Sequence, residues 1–216
     1  MKYKLILFDL DGTLLNTIDD LGEAVNHAMR LRNFPLHTYD EYKLMVGNGV
    51  RKLVTRALPE GLREDEALVE AALADFVEYY TAHIDIHTTP YPGMHDLVYQ
   101  LHKAGVLMAV ASNKFQEGTE FLVRKFFPDI PFVAVLGNRP GFPLKPDPAI
   151  VREVLQKANL TPADALMVGD SPTDMKTAEN GGIRGIAVSW GYRPMKNSPS
   201  LTVVDSADEL LQLLQD

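Results

Sequence analysis

Two aspartates one residue apart, in the run Asp9-Leu10-Asp11-Gly12-Thr13-Leu14, close a short apolar stretch. Acids buried at a strand end without purpose are expensive. In an extended chain, residues two apart project to the same side, so both carboxylates can face one reacting centre, one to attack and the other to handle protons. A Ca²⁺-loop reading of Asp-x-Asp fails on spacing, because it wants Gly at the sixth position and Glu at the twelfth, where this chain has Leu14 and Asp20. The plain alternative is turn and N-cap chemistry, which draws Asp to strand-to-helix junctions. On this pair alone the two readings are nearly level.

Three further segments carry comparable residues. Ala109-Val110-Ala111-Ser112-Asn113-Lys114 ends an apolar run in a hydroxyl and an amide. Ser112 with nearby backbone N–H groups suits a phosphoryl oxygen, although in isolation an ordinary N-cap is the preferred reading. In Leu144-Lys145-Pro146-Asp147-Pro148 the prolines restrict a lysine just before a helix, and a rigid ammonium suits a phosphate; a solvated loop lysine is the commoner fate. Val168-Gly169-Asp170-Ser171-Pro172-Thr173-Asp174 again runs from a strand into carboxylates. Hard oxygen ligands from Asp9 and Asp170 are what Mg²⁺ prefers, with water and substrate completing the octahedron. A cap on the following helix explains Asp174 or Ser171 and leaves Asp170 unexplained. All four segments end separate apolar runs, and the bland readings would have to hold together, so the combination favours a functional site.

Those residues need elements to hold them. The run at 5–8 has the continuous apolar character of a strand buried on both faces of a parallel sheet. Runs at 106–111, 132–136, 165–169, 183–188 and 201–204 repeat it, and helix-spaced segments at 94–104, 116–126, 148–158, 173–180 and 207–214 alternate with them. This alternation predicts a doubly wound, Rossmann-like α/β fold with a mostly parallel sheet. Between 17 and 83 the rhythm changes to helical spacing alone, as in Leu21, Val25, Ala28 and Met29. The expected division is therefore an α/β core of residues 1–16 and 84–216, interrupted by a helical cap of residues 17–83. Such an insertion sits above the carboxyl ends of the strands, where open sheets bind ligands.

Composition narrows the partners. Lys plus Arg 21 against Asp plus Glu 29 gives a net charge of -8, which repels a nucleic-acid backbone. No apolar stretch approaches a membrane span or a signal segment, and the absence of cysteine fits a reducing compartment. The expectation is a cytoplasmic protein without nucleic-acid or membrane partners, a monomer or a homodimer.

Taken together, Asp9-x-Asp11-Gly12-Thr13, Ser112-Asn113, Lys145-Pro146 and Gly169-Asp170-x-x-x-Asp174 resemble, in order and spacing, the four motifs of the haloacid dehalogenase superfamily. Val46-Gly47-Asn48-Gly49, Gly191 and Lys145-Pro146-Asp147-Pro148 look like its phosphoglycolate phosphatase group. The resemblance implies a Mg²⁺-dependent phosphatase acting on a small phosphate ester. Asp9 would be the nucleophile of an aspartyl-phosphate intermediate, and Asp11 the proton shuttle. Ser112, Asn113 and Lys145 would contact the phosphoryl group. Asp9, Asp170, the Asp11 carbonyl and Asp174, the last directly or from the outer shell, would surround the metal.

Other members of that superfamily suit the residues less well. Dehalogenases lack the second aspartate. A phosphomutase has an arginine-containing cap motif that is not found here, and Lys43 and Lys52 lack the apolar setting of an imine-forming lysine. A phosphomutase or a pyrophosphatase on the same fold remains the enzymatic alternative, and a receiver-like or catalytically silent binding protein the non-enzymatic one. A receiver module has no place for the insertion, and none of the four motifs is degraded. In the insertion, Asn48 between two glycines is a candidate substrate contact, weighed evenly against a simple turn. His83 and His87 read as a solvated helix end, and Trp190 and Tyr192 as packing.

Overall fold

Strand β1 (Leu5–Phe8) is apolar throughout because both of its faces are covered. Leu5 and Leu7 pack into one hydrophobic cluster, Ile6 and Phe8 into another. The computed structural model describes residues 2–193 and 195–215, so the expected outer bounds at 1 and 216 lie outside it. After β1 come β2 (Leu15–Asn16), α1 (Ile18–Arg30), α2 (Tyr39–Met45), α3 (Val50–Ala57), α4 (Glu66–His83) and β3 (Thr89–Pro90). The chain continues through α5 (Met94–Lys103), β4 (Leu107–Phe115), α6 (Gln116–Phe126), β5 (Ala134–Asn138) and α7 (Ala149–Ala158). It closes with β6 (Ala165–Gly169), α8 (Pro172–Asn180), β7 (Arg184–Val188), β8 (Thr202–Val204) and α9 (Ala207–Gln215).

Six strands form one sheet in the order β5-β4-β1-β6-β7-β8, every neighbouring pair parallel. Ile150, Val151 and Val154 of α7 and Ala178 of α8 cover one face of the sheet. Leu97 and Val98 of α5, Leu122 and Val123 of α6, and Leu210 and Leu214 of α9 cover the other. Helices on both faces of a parallel sheet make this a doubly wound, Rossmann-like α/β core. With β1 flanked by β4 and β6, the loops leaving these three strands emerge side by side at their carboxyl ends.

Two features depart from the sequence-based expectation. The polar residues after Ala111 do not end β4, which continues to Phe115 across a register shift, with Phe115 opposite Asn138. The two-residue strands β2 and β3 pair antiparallel where the chain leaves the core and returns to it; elements this short have no periodicity to read.

Helices α1 to α4 lie between β2 and β3 and pack chiefly on one another, α1 and α3 against α4 and α2 against α1. Asp20, buried in the first turn of α1, ties the outgoing and returning segments together. Its carboxylate accepts bonds from the backbone N–H groups of His87 (2.9 Å) and Thr88 (2.8 Å) and from the Thr88 hydroxyl (2.7 Å). No described helix is long and apolar enough to cross a membrane.

Candidate active site

Asp9 follows directly on β1, its N–H bonded to the Val168 carbonyl of β6 at 2.9 Å. Its Oδ1 accepts the Leu10 N–H at 2.8 Å. Thr17 occupies the N-cap position of α1, so neither Asp9 nor Asp11 is there as a helix cap. Asp11 Oδ1 accepts from the Thr17 hydroxyl (2.6 Å) and the Lys114 ammonium (3.0 Å).

Ser112 and Asn113 lie inside β4, and α6 is preceded by Phe115 without any side-chain cap. The simple capping reading of these two residues therefore does not apply. The Ser112 Oγ accepts the Lys114 N–H at 3.1 Å, and an acceptor hydroxyl keeps its own proton for an anion. Asn113 differs from its expected role as a phosphate contact. Its Oδ1 accepts the Lys145 N–H at 2.8 Å and its Nδ2 donates to the Lys145 carbonyl at 3.1 Å, so both ends of the amide are committed to fixing Lys145. Lys145 itself is 5% exposed, which rules out the solvated loop lysine. Its Nζ lies 2.8 Å from Asp9 Oδ1 and 2.7 Å from Asp174 Oδ1, and its bond to Pro146 is cis.

The loop after β6 supplies Asp170 and, one helical turn on, Asp174. The capping reading holds for Asp174: its Oδ2 accepts from the hydroxyl (2.6 Å) and N–H (3.1 Å) of Ser171 in a capping box. With Oδ1 on Lys145, both Asp174 oxygens are engaged. Asp170 Oδ2 accepts the Tyr192 N–H at 2.7 Å. Among the described residues, Asp9 Oδ2 and Asp170 Oδ1 carry no protein hydrogen bond.

Oxygens of Asp9, Asp170 and Asp174 lie within 4.8 Å of one another, all three residues buried. Burial, then the Asp174 charge, pushes the Asp9 carboxyl well above its usual range, against the opposing pull of Lys145. The same two causes raise Asp170 to about 7. Burial alone would lower Lys145, but Asp174 and Asp9 outweigh it and hold the ammonium above its ordinary value. With all three carboxyls ionised, one ammonium would leave two negative charges unanswered in a desolvated place. Hard oxygen donors with that surplus fit a divalent cation such as Mg²⁺, and Asp9 and Asp170 have the open oxygens to hold it.

Two glycines permit the crowding around Asp170. Gly12 sits at φ +87°, where a Cβ would be 2.4 Å from Asp170 Oδ2. A Cβ on Gly191 would be 2.2 Å from the Asp170 Cβ and 2.5 Å from the Gly12 carbonyl oxygen. Gly191→Ala must therefore displace Asp170, and the affinity of the acidic cluster for a divalent cation is expected to fall about 10- to 100-fold. A calorimetric titration of the protein with Mg²⁺ checks this, and an unchanged affinity contradicts it.

One cleft is lined by Asp9, Asp11, Ser112, Asn113, Lys114, Lys145 and Asp170. The same cleft is lined by Leu21, Val46, Gly47, Gly49, Val50 and Leu53, from α1 and the segment entering and forming α3. Asn48 is not among the lining residues; its Oδ1 accepts from Arg56 at 2.9 Å, and the flanking glycines face the cleft instead. Tyr192, set aside as packing, does line the cleft, and its hydroxyl accepts the Thr17 N–H at 2.7 Å. Trp190 donates from Nε1 to the Thr13 carbonyl at 3.1 Å. His83 is half-buried and stacks on Tyr79 at 4.1 Å instead of being solvated, while His87 is exposed. Lys114 and Arg193 also line the cleft, and sequence reasoning gave them no role. The expected strand stops at Ala111, four residues short of the observed end of β4 at Phe115, and this conceals the alternation of Lys114 with Ser112. Nothing in the spacing marks Arg193.

Residues 6–188 match the family described as haloacid dehalogenase-like hydrolase. A phosphoglycolate phosphatase of Pseudomonas putida is 36% identical over 209 residues, covering 94% of this chain and 76% of that protein. One from Vibrio vulnificus is 34% identical over 230 aligned positions, covering 99% and 96%. A solved structure of a provisionally named phosphoglycolate phosphatase from Lactobacillus delbrueckii subsp. bulgaricus superposes with a TM-score of 0.92 at 33% identity, covering 99% of both chains.

Proposed function

The chain belongs to the haloacid dehalogenase-like hydrolase family and is a phosphatase of that family, and from that premise we propose that it hydrolyses a small phosphorylated metabolite, 2-phosphoglycolate first among the candidates, through a covalent intermediate on Asp9. The observation that carries the reading is the meeting, in one cleft, of Asp9, Asp11, Ser112, Lys145 and Asp170 from four separate segments of the chain.

In the proposed reaction an Asp9 oxygen attacks phosphorus as the ester P–O bond breaks, and the departing alcohol takes a proton from Asp11. Asp11 then draws a proton from the water that attacks the aspartyl-phosphate, releasing phosphate and restoring Asp9. The Lys145 ammonium and the Ser112 hydroxyl face the transferring oxygens, and Asn113 keeps Lys145 in place. Asp9 and Asp170, with the Asp11 carbonyl, would hold Mg²⁺, and Asp174 would orient Lys145 from behind. When bound, Mg²⁺ supplies relief for the charge gathering on the phosphoryl group. We treat residues 17–83 as the cap that excludes water and selects the substrate above a core of 1–16 and 84–216. Leu21, Val46, Gly47, Gly49, Val50 and Leu53 are the residues of this segment that line the cleft.

The test is phosphate release across a panel of small phosphate esters with Mg²⁺. Turnover concentrated on short carboxylated esters supports the reading; no release from any of them removes it.

A pH dependence follows from the raised carboxyls. Between the ordinary value near 3.8 and about 7, the folded metal-free protein keeps protons on Asp170 that the unfolded chain has already released. Stability of the metal-free form is therefore expected to fall as pH rises through that window. Mg²⁺ needs the carboxylates ionised, so it should raise the melting temperature more at pH 8 than at pH 5.5. Equal increments at the two pH values in thermal melts would contradict this.

A further inference from the structure

The ammonium of Lys114 has no part in the reaction above, yet its side chain is only 1% exposed. Its Nζ lies 3.0 Å from Asp11 Oδ1 and 3.4 Å from Oδ2, and it donates to the Tyr80 hydroxyl at 2.7 Å. It also stands 4.7 Å from the centre of the Tyr80 ring. Asp11 belongs to the turn after β1, Lys114 to β4, and Tyr80 to α4 of the inserted helices, so one cation joins three distant parts of the chain. A lysine is costly to bury, and Asp11 is the one carboxylate it pairs with among the described residues. Tyr80 is fully buried, stacked on Phe76 at 5.3 Å and edge-on to Phe115 at 6.1 Å. Burial, then the Asp11 charge, pushes its phenol well up, so it stays a neutral hydroxyl.

We infer that Lys114 is a positioning residue for Asp11, and that Tyr80 makes this positioning conditional on α4 being seated against the core. The inference rests on the phosphatase reading above. With α4 in place, the Lys114 ammonium is fixed from both sides and the Asp11 carboxylate has one orientation. With α4 lifted, Lys114 loses its neutral anchor and Asp11 can turn away. Proton delivery to the leaving alcohol is thereby confined to the state in which the site is covered.

The experiment compares kcat/KM for an alkyl phosphate and for p-nitrophenyl phosphate in wild type, Lys114→Met and Tyr80→Phe. This parameter ends at departure of the leaving group, and p-nitrophenolate departs without an acid while an alkoxide does not. Lys114→Met is expected to lose about 100-fold on the alkyl ester and less than about 10-fold on the aryl ester. Tyr80→Phe should show the same preference at about 5-fold. Equal losses on the two esters, or no loss, overturn the positioning role. A Tyr80→Phe enzyme indistinguishable from wild type overturns the coupling to α4. If Lys114→Met does not fold, as judged by its thermal melt, Tyr80→Phe decides, since it removes a single oxygen. A wild type inactive on every ester would overturn the phosphatase reading and this inference together, whereas equal losses in active variants overturn the inference alone.

Discussion

Asp9→Asn is expected to abolish phosphate release, lowering kcat by about 10⁵-fold or more, while leaving the metal-free protein as stable as wild type or more so. An amide nitrogen offers no lone pair to attack phosphorus, and the remaining amide oxygen is a far weaker nucleophile than a carboxylate. Stability moves the other way because the Asp9 carboxyl is raised by burial and by Asp174: in the ionised form it is a strained member of a crowded acidic set. Replacing it with a neutral isostere relieves part of the surplus, and Lys145 keeps Asp174 as a partner. Steady-state phosphate release and thermal melts at pH 8 test both halves. Hydrolysis above about one per cent of wild type in a pure sample would remove Asp9 from its role.

Lys145→Met is expected to be the most destabilising single change at the site, by about 3–5 kcal/mol at pH 8 without metal, and to lose about 10³-fold in kcat. The methionine fills similar space, so packing is not the main loss. What disappears is the single ammonium that stands between Asp9 and Asp174, each within 2.8 Å of it. The buried carboxylates then repel one another without compensation, and their remaining route to relief is to take up protons. Stability should therefore recover as pH falls towards 5.5, and should also recover with Mg²⁺ at pH 8. Combining the change with Asp9→Asn should destabilise less than the sum of the two, since the partners share one network. Denaturant melts at the two pH values check the series; a deficit independent of pH would assign Lys145 a packing role instead.

The apolar runs at 5–8 and 165–169 were legible because a strand covered on both faces has no polar side to disguise it. The residues at their carboxyl ends were legible for the same reason: Asp9 and Asp170 interrupt unbroken hydrophobic stretches. Asn113 stands out in the sequence as an amide following an apolar run, but its task depends on a contact with a residue 32 positions away that spacing does not encode. Lys114 was obscured by the polarity of Ser112-Asn113-Lys114, which mimics a strand end although all three side chains are buried. Tyr192 enters the site through its backbone N–H as well as its hydroxyl, and a backbone donor leaves no trace in residue type. The β2–β3 pair is defined by two positions on each side, too few for an alternating pattern.

The central place of β1, hydrogen-bonded to β4 on one side and β6 on the other, also determines the order in which the molecule opens. Backbone amides of Ile6, Leu7 and Phe8 are shielded on both edges and both faces, so their deuterium uptake waits for cooperative unfolding of the whole sheet. Helices α1 to α4 rely mainly on one another and reach the core through the short β2–β3 ribbon, the Asp20 clamp and a few bonds such as Arg193 to the Leu44 and Val46 carbonyls. They can exchange in a separate, cheaper event, which leaves the sheet folded while it releases the Tyr80 hydroxyl from Lys114.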